Sequence, residues 1–312
     1  MFSHHASRRG SRTAAALTLA LGAGLAVPLV LAGQAGAGTP SATAALRPYD
    51  QAIVYTAAPG QANKVTVDAS ASEGRTEITY VIDDEVPIDA GDGCAHPDDA
   101  DRTKVSCTIA TPESQDPYPT LDVILGDGDD TLAYRNATGQ TYYHARIELG
   151  DGNDTATHAG STDGNTVSGG AGDDDLTVGS AGVVYGDEGV DMIHAADGTI
   201  AQGGDGDDVI FSDGEGGSVD GGADDDVIHG GAGDQDLSGG DGSDTIYGEA
   251  DDDRLYGGRG NDFLYGGTGN DVLYGNSGND TIYGNSGNDE LYGGPGTDTL
   301  SGGPGTNVVR QD

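Results

Sequence analysis

The sequence predicts an all-β protein: a solenoid of very short strands preceded by a small β domain or cap. Three observations carry this expectation. The last ten units repeat strictly every nine residues, from Gly221 to the unit that begins at Gly302. The eighth position of each unit holds one apolar residue, from Ile228 to Val309. Glycine fills 56 of the 312 positions, Trp is absent, and only 35% of residues are hydrophobic, so a conventional globular core is not expected.

One inward side chain per unit predicts one short strand, and the glycines ahead of it mark a sharp turn that needs positive φ. Two units, eighteen residues, then complete one coil. Residues eighteen apart stack at the spacing of neighbouring strands, about 4.8 Å.

Three units read GGDGSDTIY, GGRGNDFLY and GGTGNDVLY, beginning at Gly239, Gly257 and Gly266. They fit GGxGxDxUx, with U a large apolar residue, the established calcium-binding nonapeptide pattern. From about Leu125 to Arg310 the chain resembles the hemolysin-type calcium-binding repeats, also called the repeats-in-toxin family. The resemblance implies a right-handed parallel β-roll with calcium between successive turns of one edge.

The chemistry of the residues agrees. Calcium takes six to eight oxygens at about 2.3 to 2.6 Å, and two stacked turns can offer aspartate carboxylates and glycine carbonyls. The position-6 residues divide into two columns. One edge is expected to hold Asp130, Asp154, Asp174, Asp191, Asp208, Asp226, Asp244, Asp262, Asp280 and Asp298. The other has Gln235, Asp253, Asp271, Asp289 and Asn307; its earlier turns, with Asp213 and Asp220, lack the aspartate but keep Ile147, Val167, Val184 and Val219 as inward residues. Irregular spacings, seventeen residues between Asp174 and Asp208 and longer inserts before Asp174, are expected on that degenerate edge or its junctions. The aspartates leave room for roughly nine to eleven calcium ions.

Upstream, Arg8, Arg9 and Arg12 precede the apolar run from Ala14 to Ala32, and Ala35 and Ala37 suit cleavage, so residues 1–37 read as an export signal. A linker is expected over 38–46, a small β domain over 47–120, and repeats over 121–310. Within that domain Ala52 to Thr56, Lys64 to Asp68, Glu77 to Ile82 and Val105 to Ile109 have strand character, and Asp83 to Thr103 reads as an acidic loop. Cys94 and Cys107 are the two cysteines, and in an oxidising compartment a disulfide is the expected state.

The formal charge of −40 repels nucleic acid and anionic lipid and favours cations. No second apolar stretch is long enough to span a membrane once the signal is cleaved. Relatives exported in one step usually carry a secretion signal after their repeats; this chain departs from that pattern, which favours export through the N-terminal signal. Tyr247, Tyr256, Tyr265, Tyr274, Tyr283 and Tyr292 all occupy position 9 and are expected to form two outward stacks of three. No HExxH, GxSxG elbow or phosphate-binding loop occurs.

The preferred reading is a secreted, non-enzymatic calcium-binding protein used structurally or as an adhesive or presenting module outside the cell or at its envelope, with the N-terminal domain as cap. The alternatives are a glycan- or surface-binding module using that domain or the tyrosine faces, and a small secreted hydrolase with a repeat tail. Columns of carboxylates about 5 Å apart repel one another, and one apolar residue in nine gives little burial against chain entropy. Circular dichroism of the mature protein is therefore expected to show a largely disordered repeat region in chelator and β structure in millimolar calcium; a spectrum indifferent to calcium would contradict a metal-dependent fold.

Overall fold

A computed structural model describes residues 40–47, 52–111, 118–139, 143–160 and 164–311. The expected export signal at 1–37 lies outside the described residues. Pro40–Asp312 forms one compact unit.

Alternation of small or β-branched residues with polar ones makes the N-terminal part a run of strands. These are β1 (Ala42–Leu46), β2 (Ile53–Thr56), β3 (Lys64–Ala71), β4 (Glu77–Asp83), β5 (Ile88–Ala90), β6 (Cys94–Ala95), β7 (Lys104–Ala110), β8 (Tyr118–Asp127) and β9 (Thr131–Asn136). Strand β1 falls in the expected linker. Its inward residues are alanines, Ala42 and Ala44, fully buried yet too small to give a hydrophobic signal. The acidic loop likewise holds β5 and β6.

From β8 onward the chain alternates between two fourteen-stranded sheets, each strand pairing in parallel with the one two places on. The register is eighteen residues in the strict repeats, as in Leu255↔Leu273 and Leu264↔Ile282. Each full strand runs from position 7 of one unit to position 3 of the next, as in Phe263–Thr268. It is therefore longer than one inward residue suggested, because position 1, a glycine, also faces inward and lets the strand continue.

The solenoid begins earlier than the repeats. Strand β2 pairs in parallel with β8, Ile53 opposite Leu121, and β3 pairs in parallel with β9, Val65 opposite Leu132. Strands β2 and β3 thus build a coil with no repeat motif. Antiparallel pairings follow, β1 on β2 and β4 on β3 followed by β7, and the two sheets end on β5, parallel to β1, and on β6. The Cys94–Cys107 disulfide ties β6 to β7.

Apolar packing is uneven along the axis. The three buried tyrosines, Tyr55, Tyr80 and Tyr134, all lie in the N-terminal part, where most strands from β2 to Leu149 also bury two or three apolar side chains each. Past Ala195 the core narrows to one apolar column per sheet, with Ile210, Ile228 and Ile246 in one and Leu237, Leu255, Leu273 and Leu291 in the other. With more apolar burial per strand, the N-terminal part is expected to fold without metal, whereas the later coils are not. Limited proteolysis of the full chain in chelator is expected to leave a protected part ending near Leu149, and calcium to extend protection to the last coils. Uniform digestion in chelator would contradict this division.

Candidate metal centre

Every turn on the long edge, from Gly128–Asp130 to Gly278–Asp280, is three residues between strands and ends in the position-6 aspartate. Length changes fall on the opposite edge, between β9 and the strand Tyr143–Asp151 and between Thr155–Gly160 and Thr166–Ala171. The aspartates therefore stay in line despite spacings of 24, 20 and 17 residues.

Asp226 shows the local geometry. Its Oδ1 accepts the backbone N–H of Asp208 at 2.9 Å, and its own N–H goes to Oδ1 of Asp244 at 2.9 Å. Its Oδ2 is buried without a hydrogen-bond partner. A Cβ placed on Gly221 would stand 2.2 Å from that Oδ2 and 2.6 Å from the carbonyl oxygen of Gly239 in the next coil. Glycine at position 1 therefore clears a cradle into which a carboxylate oxygen and a carbonyl oxygen converge.

The same ladder links all ten expected long-edge aspartates from Asp130 to Asp298, each passing its N–H to the next carboxylate. On the short edge Gln235, Asp253, Asp271, Asp289 and Asn307 form an equivalent series. All thirteen expected aspartates keep Oδ2 buried and unpartnered. An array of oxygens with one unpaired carboxylate oxygen per turn suits a hard divalent cation of calcium's size.

Two positions differ from the rest. Beside Asp130 and Asp154, position 1 is Leu125 and Leu149, both buried, so side chains occupy the space that glycine leaves open from Gly169 onward. Neutral amides close the ladders. Asn63 gives both its backbone N–H and Nδ2 to Oδ1 of Asp130, at 2.5 and 3.1 Å, and Gln235 caps the short column while bonding Ser212. On the degenerate edge Asn165 and Thr199 fill position 6 and hydrogen-bond across the turn. Asp213 ends the strand beside that edge. Asp220, expected in the turn, instead lies exposed within the strand Ser218–Ala223, because the turn closes one residue before Ser218.

Sequence reasoning missed position 5. Its Asp and Asn side chains make a second ladder, in which Asn279 donates its N–H to Oδ1 of Asn261 at 2.9 Å and Asn288 to Asn270 at 3.0 Å. Its signal was present in the recurrent Asn-Asp and Asp-Asp pairs. Asn63 left no signal, since it stands 67 residues from its partner and outside any repeat.

Without a cation beside them, burial raises the pKa values of the position-6 aspartates from Asp130 to Asp289, the N–H bond to Oδ1 opposing the rise and, at most of them, neighbouring carboxylates adding to it. Asp174, Asp208 and Asp262 are pushed up to about 7, and Asp226 and Asp253 to about 8. At about 5 Å separation, neighbouring full charges would repel by roughly 3 kcal/mol at an effective dielectric of 20.

Four segments, residues 159–181, 213–246, 238–273 and 274–309, match the RTX calcium-binding nonapeptide repeat. The first of them contains Gly169, where glycine takes over position 1. No curated protein is similar enough to the chain to count as a relative. The chain carries RTX hemolysin-type repeats and is a calcium-binding β-roll protein.

A folded turn whose pKa lies above the unfolded value near 4 binds more protons than the open chain between those two values. In chelator, stability is then fullest below about pH 4 and is lost as pH rises through 6 to 8. Far-ultraviolet circular dichroism in chelator is expected to show more β structure at pH 5 than at pH 8. More β structure at pH 8 would contradict the burial of these carboxyls.

Proposed function

We propose that this is a secreted, non-enzymatic structural protein whose repeat region is assembled by calcium on a metal-independent N-terminal cap. The observation that carries the reading is the set of thirteen buried carboxylates, each with one oxygen left over. That Oδ2 and the position-1 carbonyl of the following coil are the oxygens that would hold a calcium ion between successive turns. Complete sites need a carboxylate in both turns and glycine at position 1. On that criterion the long edge holds seven, in the gaps between successive aspartates from Asp174 to Asp298, and the short edge two, between Asp253 and Asp289. Asp130 and Asp154 extend the ladder into the cap and are not assigned complete sites.

RTX repeats are typical of secreted bacterial proteins, which supports the expected export. Among the described residues no helix is long and apolar enough to cross a membrane. The N-terminal strands end both sheets, which supports a capping role over a separate activity. A glycan-binding role for the tyrosine faces finds less support. Tyr247, Tyr265 and Tyr283 continue a stack that begins with His194, Phe211 and His229, with centroids 4.7 to 5.4 Å apart and planes within 15°. Their ring faces, which a sugar would use, largely face one another. Tyr256, Tyr274 and Tyr292 form the expected stack of three on the other sheet.

The test compares Asp262→Asn with Asp213→Asn in calcium-dependent thermal unfolding. Asp262→Asn is expected to cost about 2 to 3 kcal/mol of calcium-linked stability, the scale of losing one well-populated ion, and Asp213→Asn almost nothing. Equal losses would overturn the assignment of edges.

A further inference from the structure

We propose that the position-5 side chains are positioning residues that set the selectivity of the sites for calcium over magnesium. The proposal rests on reading the position-6 columns as calcium sites.

Two ladders run along the turns in opposite senses, the position-5 one interrupted where Val190 and Ser243 occupy that position. At position 6 the N–H of the earlier turn goes to the later carboxylate, as Asp262 to Asp280 at 3.0 Å. At position 5 the N–H of the later turn goes back to the earlier side chain: Asn270 to Asp252 at 2.7 Å, Thr297 to Asn279 at 3.0 Å, Thr306 to Asn288 at 2.9 Å. The position-5 rungs recur on both edges, through Asp129, Asn153 and Asp173 near the head and Asp207, Asp225 and Asp234 farther on. Every acceptor in this ladder is Asp or Asn, whose side chains carry Oδ1 to the next turn's N–H. These side chains are exposed, in contrast to the buried position-6 carboxylates, so they brace the turns from outside the cradle.

Adjacent residues thus fix the rise between turns from both sides. That rise, about 4.8 Å, matches the span of two oxygens across a calcium ion, about 4.6 to 5.2 Å. Across magnesium the span is about 4.0 to 4.2 Å, so a magnesium site would have to draw the turns together by roughly 0.6 Å. The rungs already lie at ordinary hydrogen-bond distances and oppose that contraction. Calcium meets a gap of its own width, whereas magnesium must compress the braced backbone.

The test is the full chain with Asn261, Asn270, Asn279 and Asn288 all replaced by Ala, titrated with calcium alone and with magnesium alone. Circular dichroism and calorimetry give a midpoint for each ion. The ratio of magnesium to calcium midpoints is expected to fall by about tenfold or more, through a weaker calcium response and a stronger magnesium one, while Asn→Asp at the same positions, which keeps Oδ1, preserves the ratio. A common shift of both midpoints, or a ratio unchanged within about twofold, would overturn the proposal by reducing position 5 to fold support. If the fourfold variant fails to fold in calcium, Asn279→Ala alone is read by the same ratio and the same criterion. A native chain that takes up no calcium would instead refute the calcium sites themselves.

Discussion

The structure depends on burying a carboxylate at every turn of the long edge. Each position-6 aspartate is held by the turn before it through Oδ1, so its second oxygen is carried into a place where water does not reach and no protein donor waits. That arrangement is costly for an isolated anion. It becomes favourable when a divalent cation lies between consecutive turns, because the same oxygens then serve as ligands and the repulsion along the column is cancelled.

Much of the remaining architecture follows from keeping that column in register. Turn length is constant on the edge that carries it and varies on the other. At position 4, Gly260 has a φ of 138°, and a Cβ there would lie 1.5 Å from the carbonyl oxygen of Gly242, so a side chain is excluded at that backbone conformation. Asp224 and Asp251 take left-handed φ near 76° at the same position, adding carboxyl groups where the backbone prefers glycine. At the head, the coil formed by β2 and β3 presents Asn63 instead of aspartate, and its backbone and side-chain N–H groups both bond Oδ1 of Asp130.

Legibility in the sequence tracked periodicity. The nine-residue spacing revealed the coil length, both columns and their inequality, because each aspartate recurs at a fixed distance from an inward Leu or Ile. Strands β2, β3, β4 and β7 were also readable, since Val65, Ile78, Ile82 and Val105 alternate with polar residues, whereas β5 and β6 lay in the expected acidic loop. Strand β1 was hidden by its alanines, and the parallel pairing of β2 and β3 with β8 and β9 has no local signature, being fixed only when distant strands meet. The filling of position 1 by Leu125 and Leu149 was visible as residues. Its meaning required knowing that position 1 faces the carboxylate and not solvent.

Anomalous scattering from crystals of the calcium-loaded protein tests the central claim most directly, because it places each ion against its turns. The expected result is a row of seven ions along the edge from Asp174 to Asp298 and two between Asp253 and Asp289, with none bridging Asp130 and Asp154. Ions absent from the cradles beside the position-1 glycines, or spread equally over the degenerate edge, would contradict it.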